Sequence, residues 1–106
     1  VALVLALRKL MGKGTLSRLP VTGHVAAISV GIVENTGLLD LAYDEDSRAE
    51  VDMNVIKTSD GRYVEIQGTA ETVPFGRDRL NELLDLADVG IASLIDQQRQ
   101  VLGGLV

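Results

Sequence analysis

The chain has 106 residues, 46% hydrophobic and 24% charged, a balance typical of one folded globular domain and not of a disordered segment. It contains no cysteine, which excludes a disulfide framework and a thiolate zinc site. The formal net charge is −5, and residues 40–52 hold the whole imbalance, with six acidic side chains and a single arginine.

The N-terminal segment is strongly apolar. Seven apolar residues open the chain and Arg8-Lys9 follow them. This run is too short to span a bilayer, which takes about 20 residues, and its charge lies on the wrong side for a signal peptide. We therefore expect residues 1–23 to be the end of a core helix, buried on all sides, followed by a glycine- and proline-containing connector from a preceding half.

Two strands are predicted next. Residues 25–33 are a nearly continuous run of apolar, β-branched side chains, which predicts a central strand. Residues 34–37 have the composition of a turn, in which we expect Gly37 to adopt positive φ. A second strand is predicted over residues 38–41.

A second strand pair and a long helix follow the acidic segment. Apolar and polar residues alternate over residues 51–56, and Asp60-Gly61 is a hairpin signal whose turn matches the twist of the flanking strands. Residues 63–69 are the fourth strand. From Arg77 the apolar period becomes 3.6, which predicts a long helix over residues 77–106 with its tail.

These elements predict an α+β domain: a mostly antiparallel sheet, with the long C-terminal helix on one face. Residues 24–76 would form the sheet and carry the functional carboxylates, and residues 77–106 would form the helix and tail.

Asp46 and Asp52 are the candidate metal ligands. They stand six residues apart, one in the turn after a strand and the other early in the next strand. Two converging carboxylates suit Mg²⁺, which binds a few carboxylates together with water and phosphate oxygens. Repulsion between them could also raise the pKa of one carboxyl and let it act as a general acid.

The alternative is a solvated acidic loop, because runs of charge usually face water. A calcium loop fits poorly, because Ala49 stands where that motif needs glycine. His24, the sole histidine, is interpreted as structural, and the polar residues of the fourth strand as a wet sheet face.

Several motifs together resemble the ribonuclease PH family. They are residues 25–33 (VAAISVGIV), 38–47 (LLDLAYDEDS), 50–55 (EVDMNV), 61–71 (GRYVEIQGTAE) and the Pro74-Phe75 pair before the helix. The resemblance covers roughly residues 1–95, and the spacing of these motifs is specific to that family.

The resemblance implies a phosphate-dependent 3′-to-5′ exoribonuclease of the cytoplasm that trims the 3′ ends of tRNA precursors and releases nucleoside diphosphates. It also implies Mg²⁺ as cofactor, inorganic phosphate as co-substrate, RNA as partner, a hexameric ring built as a trimer of dimers, and no membrane association. Two aspartates essential in the family match Asp46 and Asp52.

The sequence departs from the family in one respect that matters. The family binds phosphate through an arginine and a Gly-Thr-Arg segment of the preceding half, and Gly14-Thr15-Leu16 is not that segment. We therefore expect the N-terminal half to be missing and this chain alone to be inactive.

Two alternative assignments stay open. One is an exosome subunit or a polynucleotide phosphorylase domain, although the latter has lysine at the position of Asn54. The other is a non-catalytic RNA-binding ring subunit, which would have no reason to keep both aspartates.

Overall fold

A computed structural model of the chain describes residues 1–103. The elements occur in the predicted order, and the acidic segment contains one helical turn. Their bounds are α1 Ala2–Gly12, β1 Val25–Val33, β2 Thr36–Leu39, α2 Tyr43–Asp46, β3 Val51–Thr58, β4 Tyr63–Ala70 and α3 Arg77–Leu102.

The four strands form one sheet in the order β2-β1-β3-β4, and every neighbouring pair is antiparallel. Helix α3 packs across β1, β2 and β3 on one face. The prediction of an α+β domain with an antiparallel sheet and a long helix on one face is confirmed.

The alternation of β3 explains the core. Val51, Met53 and Val55 are at most 2% exposed and face α3, as their period of two predicts. The helix contributes the matching apolar stripe, with a period of 3.6. Its fully buried members are Leu83, Ala87, Gly90, Ile91, Ile95 and Leu102.

The first hairpin turns earlier than predicted. Glu34 and Asn35 both have positive φ, 51° and 64°, as a two-residue turn with the twist of its flanking strands requires. The prediction of positive φ at Gly37 is therefore wrong. Gly37 lies within β2, where an added Cβ would come within 2.9 Å of Glu82 Oε1 on α3.

The second hairpin is confirmed, but its turn is of a different type. Gly61 N–H donates to Thr58 O at 3.1 Å, and Gly61 has φ 90° while Asp60 does not adopt positive φ. Thr58 N–H also donates to Arg62 O at 2.8 Å, so residues 59–61 form a three-residue loop that ends in a glycine, and only that glycine needs the left-handed region.

Helix α1 lies apart from the sheet. Val4 is its one buried residue, while Leu3 is 68% exposed. The radius of gyration is 17.2 Å, compared with about 13 Å for a compact chain of this length. The prediction of a helix buried on all sides is wrong for residues 1–103, because no other element of this part of the chain covers its remaining faces.

Within residues 1–103, no helix has both the length and the apolar composition needed to cross a membrane.

Candidate metal and catalytic site

Asp52 lies on β3 with its side chain on the open face of the sheet, opposite α3. Its neighbours Val51 and Met53 point into the core, and side chains alternate between faces along a strand. In the register, Asp52 pairs with Gly31 on β1 and Thr69 on β4. The predicted placement of Asp52 opposite the apolar residues of its strand is confirmed.

After β2, the chain is held to β1 by two hydrogen bonds to the same residue, Ser29. Asp40 N–H donates to Ser29 O at 2.7 Å, and Leu41 N–H donates to Ser29 Oγ at 3.2 Å. Asp40 adopts φ 57°, in the left-handed region that aspartate tolerates better than most residues. The predicted strand through residue 41 therefore ends at Leu39, and the chain bends towards the open face.

Leu41 packs over Gly31, which pairs with Asp52. A Cβ added to Gly31 would come within 2.7 Å of Leu41 Cδ1 and 2.5 Å of Val51 O. The absence of a side chain at Gly31 thus lets the segment before α2 lie directly on the sheet beside Asp52.

Helix α2 is a single turn held at both ends. Ala42 N–H donates to Glu45 Oε1 at 2.9 Å, and Ala49 N–H donates to Asp46 O at 3.2 Å. Ala49 is 8% exposed, and Glu50 N–H donates to Ile32 O at 2.7 Å as β3 begins. These contacts hold Asp46 beside the start of β3.

The structure brings the carboxyls of Asp46 and Asp52 together. Burial raises the pKa of Asp52 above its ordinary value of 3.8, and repulsion from Asp46, a hydrogen bond with the Asp46 carboxyl and repulsion from Glu71 raise it further. The two carboxylates predicted to converge therefore share one site on the open face. They do not point to separate surfaces.

The donor set is small. Within the part of the chain that the structure describes, no group of three or more histidine, cysteine, aspartate or glutamate side chains could hold a metal ion. Two carboxylates alone suit a hard cation that keeps most of its water and takes phosphate oxygens as further ligands, as Mg²⁺ does. A structural zinc or calcium cage, which needs more protein ligands, does not fit.

The neighbouring acids and Arg48 have other roles. Glu45 caps α2, and Arg48 forms an ion pair with Glu34 at 3.1 Å and donates through Nε to Asp44 O at 3.0 Å. Both partners of that ion pair are more than half exposed, so its contribution to stability is small.

His24 is 8% exposed and lies far along the sheet from the aspartates. Its ring Nδ1 is 3.2 Å from Gln98 Oε1, and its backbone N–H donates to Ser59 Oγ at 3.1 Å. This matches the structural interpretation. The Gln98 side-chain amide also donates to Val25 O at 3.0 Å, at the first residue of β1.

Sequence reasoning missed the residues that position the pair: Ser29, Gly31 and Leu41. A glycine inside a strand of β-branched residues marks a close approach of another segment, so Gly31 carried a usable signal. Nothing in the sequence identifies Ser29 and Leu41, because their role depends on the path of the chain after β2.

Comparison with known proteins agrees with this architecture. Residues 23–90 match the family model described as the 3′ exoribonuclease family, domain 2. The chain therefore belongs to the 3′ exoribonuclease family, and its sheet and long helix have the fold of the ribonuclease PH C-terminal domain.

The particular relatives are proteins named Ribonuclease PH. The protein of Synechococcus sp. (strain CC9605) is 58% identical over 99 residues, which are 93% of this chain and 40% of that protein. The Bacillus pumilus (strain SAFR-032) and Bacillus cereus (strain B4264) proteins are 54% and 55% identical over 107 residues, covering 100% of this chain and 44% of each relative. The chain thus spans about two-fifths of the length of these relatives.

Proposed function

We propose that this chain is the metal-binding part of a phosphate-dependent 3′-to-5′ exoribonuclease. In this proposal Asp46 and Asp52 together hold Mg²⁺ at the 3′ end of an RNA. The observation that carries it is that the Asp46 carboxyl lies near enough to Asp52 to raise the pKa of its carboxyl, in a chain of the 3′ exoribonuclease family.

The bound ion would neutralise charge on the scissile phosphodiester and orient it for attack by inorganic phosphate. The chain's own residues serve that arrangement. Asp46 and Asp52 supply the protein ligands, the Leu41–Gly31 contact sets the height of α2 above the sheet, and Glu45 closes the first turn of α2.

The attacking phosphate needs a site of its own. The relatives are more than twice as long as this chain. The resemblance to the ribonuclease PH family implies that the phosphate-binding motif belongs to the part that precedes it. Without a positioned nucleophile, two metal-binding carboxylates produce little rate. We therefore propose that the activity belongs to a protein of the relatives' length and that this chain alone is inactive.

The finer proposals follow from the name that the relatives share and from the motifs that this chain has in common with the family. They are RNA with the 3′ ends of tRNA precursors as substrate, nucleoside diphosphates as products, a hexameric ring as the assembly and the cytoplasm as the location.

Metal binding can be tested on the chain itself. We expect Mn²⁺, used as a paramagnetic probe, to broaden the amide resonances of residues 46 and 52 in the wild type, and Mg²⁺ to compete for the same site. Asp46→Asn and Asp52→Asn should each weaken binding at least about tenfold, since each removes one of two charged ligands. Asp44→Asn is the matched control, because it removes the same charge from α2, the helix that carries Asp46.

Equal weakening by all three variants would mean that Mn²⁺ responds only to the general negative charge of residues 40–52. The metal part of the proposal would then be wrong.

The reaction is tested with a protein extended at the N-terminal side to the length of the relatives. Release of nucleoside diphosphates from RNA only when phosphate is present supports the proposal. Nucleoside monophosphates would indicate hydrolysis, and RNA retention without products would indicate a non-catalytic binding subunit. Diphosphate release by the 106-residue chain alone would contradict the predicted inactivity.

A further inference from the structure

A small cleft lies between α3 and the β3–β4 hairpin. Its volume is about 170 Å³, which is room for about five water molecules. Pockets for drug-sized ligands measure about 300–1,000 Å³, so this cleft suits a small ion. Its polar lining comes from both elements and includes Lys57, Ser59, Asp88 and Arg99.

The cleft is separate from the two aspartates of the candidate metal site. Lys57 lies five residues beyond Asp52 on β3, a distance of about 16 Å along the strand. The Lys57 ammonium pairs with Asp88 of α3, so Lys57 faces the helix, whereas Asp52 is on the open face of the sheet. A small ligand of this cleft therefore does not contact the aspartate pair.

A cluster around Asp88 supplies one part of the cleft. Lys57 Nζ donates to Asp88 Oδ1 at 2.9 Å, and Tyr63 OH donates to the same oxygen at 3.0 Å. The ammonium also lies 5.1 Å from the centre of the Tyr63 ring, within the range of a cation–π contact. These contacts hold the Lys57 ammonium in place, while its other hydrogens are left to donate and Asp88 Oδ2 is left to accept.

Arg99 and Ser59 supply further donors. The Arg99 side chain has no hydrogen bond or ion pair with any other residue of the described range 1–103. Ser59 Oγ accepts from the His24 N–H at 3.1 Å, so its hydroxyl hydrogen is left to donate. The lining thus contains two cations and one anion, although the chain as a whole has a net charge of −5.

We propose that this cleft binds inorganic phosphate in the form that carries a hydrogen. Lys57, Ser59 and Arg99 donate to the phosphate oxygens. Asp88 Oδ2 accepts the hydrogen of the P–OH group, so the carboxylate attracts this anion instead of repelling it. At pH 8 inorganic phosphate still carries one hydrogen, whereas sulfate has none and a phosphomonoester, whose second pKa is about 6, has lost its own. The inference does not depend on the proposed ribonuclease activity.

Phosphate binding can be measured on the chain itself by NMR. Sodium phosphate added at pH 8 and constant ionic strength should shift the amide resonances of Ser59, Gly61 and Ala92, with saturation at millimolar concentration. Divalent cations are left out, so that no ion at Asp46 and Asp52 attracts phosphate. Sulfate and methyl phosphate should bind at least about tenfold more weakly, since each presents an oxygen without a hydrogen to the carboxylate.

Two variants and a control separate charge from recognition. Arg99→Gln should weaken phosphate binding at least about fivefold, because it removes one of the two cations of the cleft. Arg77→Gln is the matched control, because it removes the same charge about 33 Å away along α3 and should leave the affinity unchanged. Asp88→Asn should bring the affinities for phosphate and sulfate to within about threefold of each other, because an amide can donate to either anion. Circular dichroism verifies that each variant is folded.

The absence of a saturable shift at tens of millimolar phosphate would overturn the proposal. Equal wild-type affinities for phosphate and sulfate would also overturn it, since the cleft would then respond to any anion. So would an Arg77→Gln variant that loses as much affinity as Arg99→Gln, or an Asp88→Asn variant that keeps the full preference for phosphate.

Discussion

Replacing Gly31 with alanine tests how the two aspartates are positioned. The new methyl carbon would lie 2.5 Å from Val51 O and 2.7 Å from Leu41 Cδ1, whereas ordinary contacts are about 3.5–4.0 Å. Each contact must therefore lengthen by about 1 Å. The Val51 oxygen belongs to the backbone of β3, so it cannot be relieved by a side-chain rotation.

The expected cost follows from two opposing effects. Overpacking of this kind costs about 1–3 kcal/mol. The lower entropy of an unfolded chain with alanine in place of glycine returns about 0.4–1 kcal/mol. We expect Gly31→Ala to lower the free energy of unfolding by about 1–2 kcal/mol, measured by urea denaturation with an unchanged m-value.

The matched control is Gly68→Ala on β4. Its new methyl would meet only the flexible end of Met53, with Cε at 3.1 Å, so we expect a change within about 0.5 kcal/mol. Gly31→Ala should also move the amide resonances of Leu41 and Asp52. A variant as stable as the wild type, with those resonances unchanged, would refute the argument that Gly31 sets the position of α2.

Two further predictions concern charged groups. Because burial and Asp46 raise the pKa of Asp52, its ionised form is penalised in the folded state, so Asp52→Asn should raise the free energy of unfolding at neutral pH, as measured by urea denaturation. The gain should shrink as the pH falls through the raised pKa and vanish below 3.8; a gain that grows on acidification would contradict this. On the α3 face, Asp88 accepts hydrogen bonds from Lys57 at 2.9 Å and Tyr63 at 3.0 Å, and burial followed by Asp88 raises the pKa of Tyr63. In a Tyr43→Phe background, Asp88→Asn should lower the pKa of the remaining phenol in an ultraviolet titration, and an unchanged pKa would show that Asp88 has no part in it.

Most of the fold could be predicted because it depends on local patterns of apolar and polar residues. The apolar run of β1, the alternation of β3 and the 3.6-residue period of α3 each depend on side chains only a few positions apart. The proximity of Asp46 and Asp52 could also be predicted, since only one short turn separates the two residues along the chain.

The turns were harder to predict because composition does not state which residue adopts positive φ. Glycine is the usual candidate, yet Glu34 and Asn35 adopt it in the first hairpin. Gly37 lies instead beneath α3, where an added Cβ would meet the Glu82 and Leu86 side chains, some 45 positions away along the chain.

The sequence by itself determined the order of the elements and the apolar faces that form the core, because each depends on residues near one another along the chain. The two acids of the candidate site were singled out by the resemblance to the ribonuclease PH family. Only the tertiary structure decided that Leu41 lies over Gly31, that burial and Glu71 act on Asp52, and that β4 is the last strand of the sheet. These features arise where distant segments meet, and the free energies that select such contacts depend on packing in three dimensions and not on any local pattern.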